Sequence, residues 1–194
     1  MKLIATLMVA GALCPAVVTA QARTFTRSDN PVSDAVRQAL ARESKNLVAA
    51  AELLPAEKYD FHPTPAQMTF GQLIAHVTQT NAALCAGISG STPDAAHYSR
   101  LAPSALQALA GTDPKPTLVE AITQSFAYCT AALANMADSQ IGDEAVIFGR
   151  HTGLSRAGAM VEIAADWADH YSTAASYLRL NDILPPSAQA QAAH

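Results

Sequence analysis

The chain has 194 residues, 50% of them hydrophobic and only 14% charged, with 9 Gly and 11 Pro, which excludes a disordered, collagen-like or repeat protein and describes one compact domain. Twelve Lys and Arg stand against 16 Asp and Glu, a formal net charge of -4. No basic run appears, so the footprint of a nucleic-acid binder is missing.

Met1-Lys2, an apolar run over residues 3–18 and the small residues Thr19 and Ala20 have the layout of a secretory signal peptide. Cleavage is expected after Ala20, or after Ala22. The run is short for a span of about 20 apolar residues and contains Pro15, so it reads as a leader and not as an anchor. Lipidation at Cys14 is the weaker reading, because Leu13 is bulky where a small residue is expected. Residues 21–194 read as a single secreted or periplasmic domain with no stable membrane anchor. This domain keeps two cysteines, Cys85 and Cys129. Their even count and oxidising location favour one disulfide over two small buried hydrophobes.

Four helices are expected, an all-α four-helix bundle. The first opens at Asn30-Pro31, a capping residue followed by Pro at the first helical position, and runs to about Leu54 with Val32, Val36, Leu40 and Leu47 inward. A polar link with Pro63 and Pro65 comes next. The second starts at the capping box Thr69-Phe70-Gly71-Gln72, and Leu73, His76, Val77, Thr80, Leu84 and Ile88 recur at helical spacing up to Gly87 and Gly90. His76 therefore falls on the buried face.

Residues 91–116 form a long connection, with a short helix over residues 104–109. The third helix is expected to begin at a second capping box, Thr117 to Glu120, with Ile122, Phe126, Cys129, Leu133 and Met136 as its stripe. Residues 138–153 read as a loop in which residues 145–148 are briefly extended. The fourth helix covers residues 155–180. Along it Ala159, Ile163, Asp166, His170, Thr173 and Tyr177 make one seam, and Met160, Trp167, Tyr171, Ala174 and Leu178 the next.

Asp166 and His170 thus share a face one turn apart. A buried carboxylate needs a charge, a hydrogen-bond network or a metal, and His76 is the third member at hand. Helix bundles build metal sites from such inward side chains. Spacing alone also allows an ordinary Asp166–His170 ion pair beside a core histidine.

The segments Phe61-His62-Pro63-Thr64-Pro65, Thr69 through Val77, and His170-Tyr171 through Asn181 to Pro185-Pro186 resemble the DinB-like family, particularly its exported members, over most of the mature chain. The resemblance implies a four-helix bundle and a divalent-metal site of three histidines, one on the second helix and two on the fourth. His76 matches the first and His170 the last. Asp166 stands where the family pattern has the remaining histidine. The implied metal ligands are accordingly His76, Asp166 and His170, for an ion such as Zn, Ni, Mn or Fe.

Characterised relatives include metal-dependent thiol transferases and a thiol-dependent isomerase, so the resemblance implies a metal-dependent thiol transferase, or a hydrolase, acting on a small-molecule substrate. The alternative is a metal-free bundle that binds a small molecule or serves as a structural or homodimer surface. No catalytic residue is assigned. His62, His97, His151 and His194 read as loop or tail residues, Glu162 as a solvent-facing acid, and Trp167 and Tyr171 as core aromatics. No Ser-His-Asp order, Gly-rich phosphate loop or Cys-x-x-Cys pair is present.

Overall fold

The structure, a computed structural model, describes residues 26–90 and 108–192. The expected leader, residues 104–107 of the expected short helix, His97 and His194 lie outside the described residues. Four long helices dominate: α1 (Pro31–Leu53), α2 (Phe70–Ser89), α3 (Lys115–Leu133) and α4 (Arg156–Leu180). Between α3 and α4 lie two short strands, β1 (Glu144–Ile147) and β2 (Arg150–Ser155), and a last helix, α5 (Pro186–Ala192), comes after α4. α1 and α2 each pack against both α3 and α4. The all-α bundle expected from the helical periods is the fold.

Helix starts obey local chemistry in part. At α2 the capping box forms: the Thr69 hydroxyl accepts from the Gln72 backbone N–H at 3.1 Å and the Gln72 side chain accepts from the Thr69 N–H at 2.8 Å. Gly90, at φ +71°, closes the helix in the left-handed region; Gly87 lies inside α2 and does not end it. At α1 Asn30 holds the expected position without capping its own helix. Asp138, more than a hundred residues on, does so instead, accepting from the N–H groups of Val32 and Ser33 at 2.9 Å each. Asn30 in return accepts from the Asp138 N–H at 2.8 Å. Val32, expected inward, is exposed in this first turn.

The Thr117 capping box does not form. α3 begins two residues earlier, at Lys115, because Pro116 is tolerated in a first turn, where its missing N–H would have no helical partner. This start puts Lys115 to use: its ammonium donates to the carbonyls of Glu52 and Leu54, at 2.6 and 2.7 Å, and so closes the end of α1. Arg37 of α1 donates to the carbonyls of Leu133 and Met136, both at 3.0 Å, and closes the end of α3. The two helices therefore satisfy each other's orphan carbonyls.

Leu47, Leu54, Phe70, Ile74, Leu118, Ile122 and Trp167 are fully buried and form one core with Tyr128, Tyr177 and Leu133. Cys85 of α2 and Cys129 of α3 are disulfide-bonded, with a Cα separation of 5.2 Å, and both are fully buried. The expected extended segment is the first arm of a hairpin that pairs Val146 with His151 and Ile147 with Arg150. Phe148 and Gly149 turn it at φ +51° and +70°. The hairpin rests on α2 at Gly87, where a Cβ would come within 2.9 Å of the Val146 carbonyl oxygen. Among the described residues no helix is long and apolar enough to cross a membrane.

Candidate metal centre

The site lies where α2 faces α4. His76 sits on the second turn of α2, placed by the cap at Thr69 and by the buried neighbours Ala75 and Val77. Asp166 and His170 are one turn apart on α4, on the seam whose members Ala159, Ile163 and Tyr177 are buried and whose Thr173 is half-buried. The three side chains are half-buried, where the helical pattern alone put them inside. Trp167, between Asp166 and His170 in sequence, is fully buried and pins that stretch of α4 to the core.

The fold brings the three predicted residues together. One potential ligand atom from each of His76, Asp166 and His170 lies within 4.8 Å of the other two. The two imidazole rings meet edge to face, centroids 4.9 Å apart and planes at 89°. His170 Nε2 stands 3.1 Å from Asp166 Oδ1, yet Nε2 makes no aligned hydrogen bond among the described residues, so the contact is one of proximity without alignment. Asp166 Oδ2 is also buried and without a hydrogen-bond partner among the described residues. Unpartnered buried nitrogen and oxygen atoms at one spot are what a coordinated cation would satisfy, and two imidazoles with a carboxylate are a suitable donor set for it.

Electrostatics separate the two histidines. Contact with the Asp166 carboxylate holds the His170 pKa above the ordinary histidine value, against the effect of burial. Burial lowers that of His76, and the charge of His170 lowers it further, with Asp166 opposing. In the metal-free site the proton therefore prefers His170, and His76 keeps a free lone pair at neutral pH.

A cleft of about 340 Å³ opens beside His76, lined by Met68, Gln72, Ala75, Gln79, Leu109 and Gly111. It owes its shape to a close approach: a Cβ on Gly71 would stand 2.1 Å from the Gly111 carbonyl oxygen, so only glycine lets the 108–114 loop lie against α2. The Gln79 side-chain amide donates to the Leu109 carbonyl at 3.1 Å and fastens the same loop.

The remaining candidates lie elsewhere. His62 is exposed, its ring nitrogen 2.8 Å from the Thr64 carbonyl. His151 is on β2, paired at 3.0 Å with Glu144. Glu162 is exposed. Trp167 does not line the cleft: its indole N–H donates to Asn81 Oδ1 at 2.6 Å, and Asn81 donates to the Ser125 hydroxyl at 3.0 Å, all three being fully buried. Tyr171 anchors α5, donating to the Ser187 hydroxyl at 2.7 Å and accepting from the Ser187 N–H at 2.9 Å.

The sequence profile of the DinB superfamily matches residues 39–174 of the chain. The chain belongs to the DinB superfamily. The match takes in α2, α3, the hairpin and the portion of α4 that carries Asp166 and His170. A comparison with curated proteins returns no match. Within this DinB chain the resemblance read from the three sequence segments is borne out, and so is the pairing of Cys85 with Cys129.

Proposed function

We propose that this DinB-superfamily protein is an exported metalloprotein in which His76, Asp166 and His170 hold a divalent ion, and that it acts on a small molecule admitted through the cleft beside His76. The observation that carries the reading is the convergence of three potential ligand atoms within 4.8 Å, with buried His170 Nε2 and Asp166 Oδ2 lacking a hydrogen-bond partner among the described residues. When bound, such an ion supplies Lewis acidity that turns a coordinated water or thiol into a nucleophile near neutral pH. This suits a thiol transferase or a hydrolase.

The protein's own part is to present the donors. His76 offers an unprotonated nitrogen, Asp166 a carboxylate, and His170 gives up its proton as it ligates, so loading is favoured by rising pH. Trp167 and Asn81 hold the two helices at fixed spacing beneath the site. Export is supported by the leader-like residues 1–20 and by a buried cystine, which persists in oxidising compartments.

Tag-free protein exposed to micromolar Zn, Ni, Mn and Fe(II), then desalted and assayed by elemental mass spectrometry, is expected to retain one ion per chain. His170→Ala is expected to retain none. A second reading takes its support from the 3.1 Å contact of Asp166 with His170: a metal-free bundle in which the two form an ion pair. Uptake of no ion by the wild-type protein decides for that reading.

A further inference from the structure

We propose that Asp166 is the residue that sets the metal preference of this centre, turning it toward the harder divalent ions Mn(II) and Fe(II). The inference rests on the metal-binding reading above and concerns which ion the site is built for.

Three features of the donor set carry it. A ligating histidine is neutral, so Asp166 is the only formal charge that His76, Asp166 and His170 contribute. A carboxylate offers two oxygens where an imidazole offers one nitrogen, and here Oδ1 faces His170 while Oδ2 is buried and unpartnered among the described residues. A carboxylate can ligate through one oxygen or through both, which suits an ion that accepts a high coordination number. Finally, the group contains no sulfur donor: Cys85 and Cys129 are joined to each other and fully buried.

Carboxylate oxygen suits Mn, imidazole suits Zn, Ni and Fe, and two histidines with one carboxylate and open positions are the donor set of non-haem Fe(II) centres and of open catalytic zinc sites alike. The group comprises three residues, one short of the four protein ligands of a closed structural zinc site. The remaining positions are left to solvent or substrate. Affinity for Zn still exceeds that for Mn at any nitrogen and oxygen site. The effect of Asp166 is therefore on the ratio of affinities, and is read by comparing variants.

Competition titrations with a fluorescent chelator give Mn(II) and Zn(II) dissociation constants for the wild type, Asp166→His and Asp166→Asn. In Asp166→His the Mn(II) affinity is expected to fall on the order of tenfold or more, while Zn(II) affinity holds or rises. Asp166→Asn, which keeps the volume and loses the charge, is expected to lose more Mn(II) than Zn(II) affinity. Circular dichroism checks that both variants are folded. In the wild type, Mn(II) paramagnetic resonance in oxygen-17 water is expected to report about two or three exchangeable waters.

Equal factors for the two ions in both variants, or no exchangeable water on Mn(II), overturn the proposal and leave the metal-binding reading standing. A wild-type protein that binds neither ion overturns both. That outcome is separate, because it appears before any variant is compared.

Discussion

Two polar clusters bridge the same pair of helices. Asn81 of α2 meets Trp167 of α4, and five residues earlier on α2 His76 meets Asp166 and His170. The first cluster is closed: the indole N–H has an acceptor, the Asn81 amide donates to Ser125, and the Ser125 hydroxyl donates to the Ile122 carbonyl at 2.8 Å. The second is open, with a nitrogen and an oxygen that have no hydrogen-bond partner among the described residues. Adjacent residues, Trp167 and Asp166, belong to opposite kinds. A satisfied buried cluster fixes geometry, whereas an unsatisfied one held rigid by its neighbour is ready for a ligand.

The largest effect is expected at the staple that supports both clusters. Replacing Cys85 and Cys129 together by Ala removes a cross-link closing 44 residues, worth about 3 to 4 kcal/mol in the chain-entropy model. Denaturant unfolding measures the loss. Metal uptake by the folded fraction should persist, and its disappearance would mean that the open cluster depends on the staple for its shape.

Next comes the closed cluster. Asn81→Ala strands the buried Trp167 N–H and is expected to cost about 1 to 3 kcal/mol. His170→Ala in the metal-free protein is expected to cost less than Asn81→Ala, since half-buried His170 loses only its contact with Asp166 and no aligned hydrogen bond among the described residues. An equal or greater loss at His170 would erase the contrast. A metal added at about 100 times its dissociation constant should stabilise the wild type by about 2.7 kcal/mol. The His170→Ala protein should gain nothing, as thermal unfolding with and without the ion will show.

The smallest effect separates the two histidines of the open cluster. In metal-free protein, nuclear magnetic resonance should find His170 titrating above 6.5 and His76 below it. The raised His170 adds stability that is present below the ordinary histidine pKa and lost as pH rises through its own. The lowered His76 adds stability that is present above the ordinary value and lost as pH falls through its own. Asp166→Asn should bring His170 down, and an unmoved His170 would show that the carboxylate contact does not govern its proton.

Much of this is legible in the sequence because helical spacing fixes faces. Asp166 and His170 share a turn by arithmetic alone, and Thr69 and Gln72 announce their cap. Asn81 is not legible in this way: it stands three residues before Leu84 and four after Val77, but the spacing takes its neighbour Thr80 as the inward residue, and a buried amide gives no local sign of its partner. Asp138 is hidden for a stronger reason: it caps a helix from 105 residues away, and no local pattern encodes such a distance. The second hairpin strand escapes a sequence reading because residues 150–153 lack alternation, although Gly149 after Phe148 marks a turn. α5 reads as a tail after Pro185-Pro186, whereas Pro186 plays the opening role that Pro31 plays in α1. That the site is only half-buried depends on how the helices are packed together, which periodicity does not report.

The exchange of caps between α1 and α3 bears on where this protein can be cut. The span recognisable as DinB starts at residue 39 and stops at 174, yet Arg37, which closes α3, precedes it, and Tyr177, whose hydroxyl donates to the Met68 carbonyl at 2.8 Å, lies beyond it. A fragment trimmed to the recognisable span would keep every candidate ligand but lose the Arg37 half of the exchange between α1 and α3 and the tie from α4 to the Met68 carbonyl. The unit recognisable as a pattern is thus smaller than the unit that folds, and boundaries for expression, fusion or permutation belong outside Pro31 and Ser187.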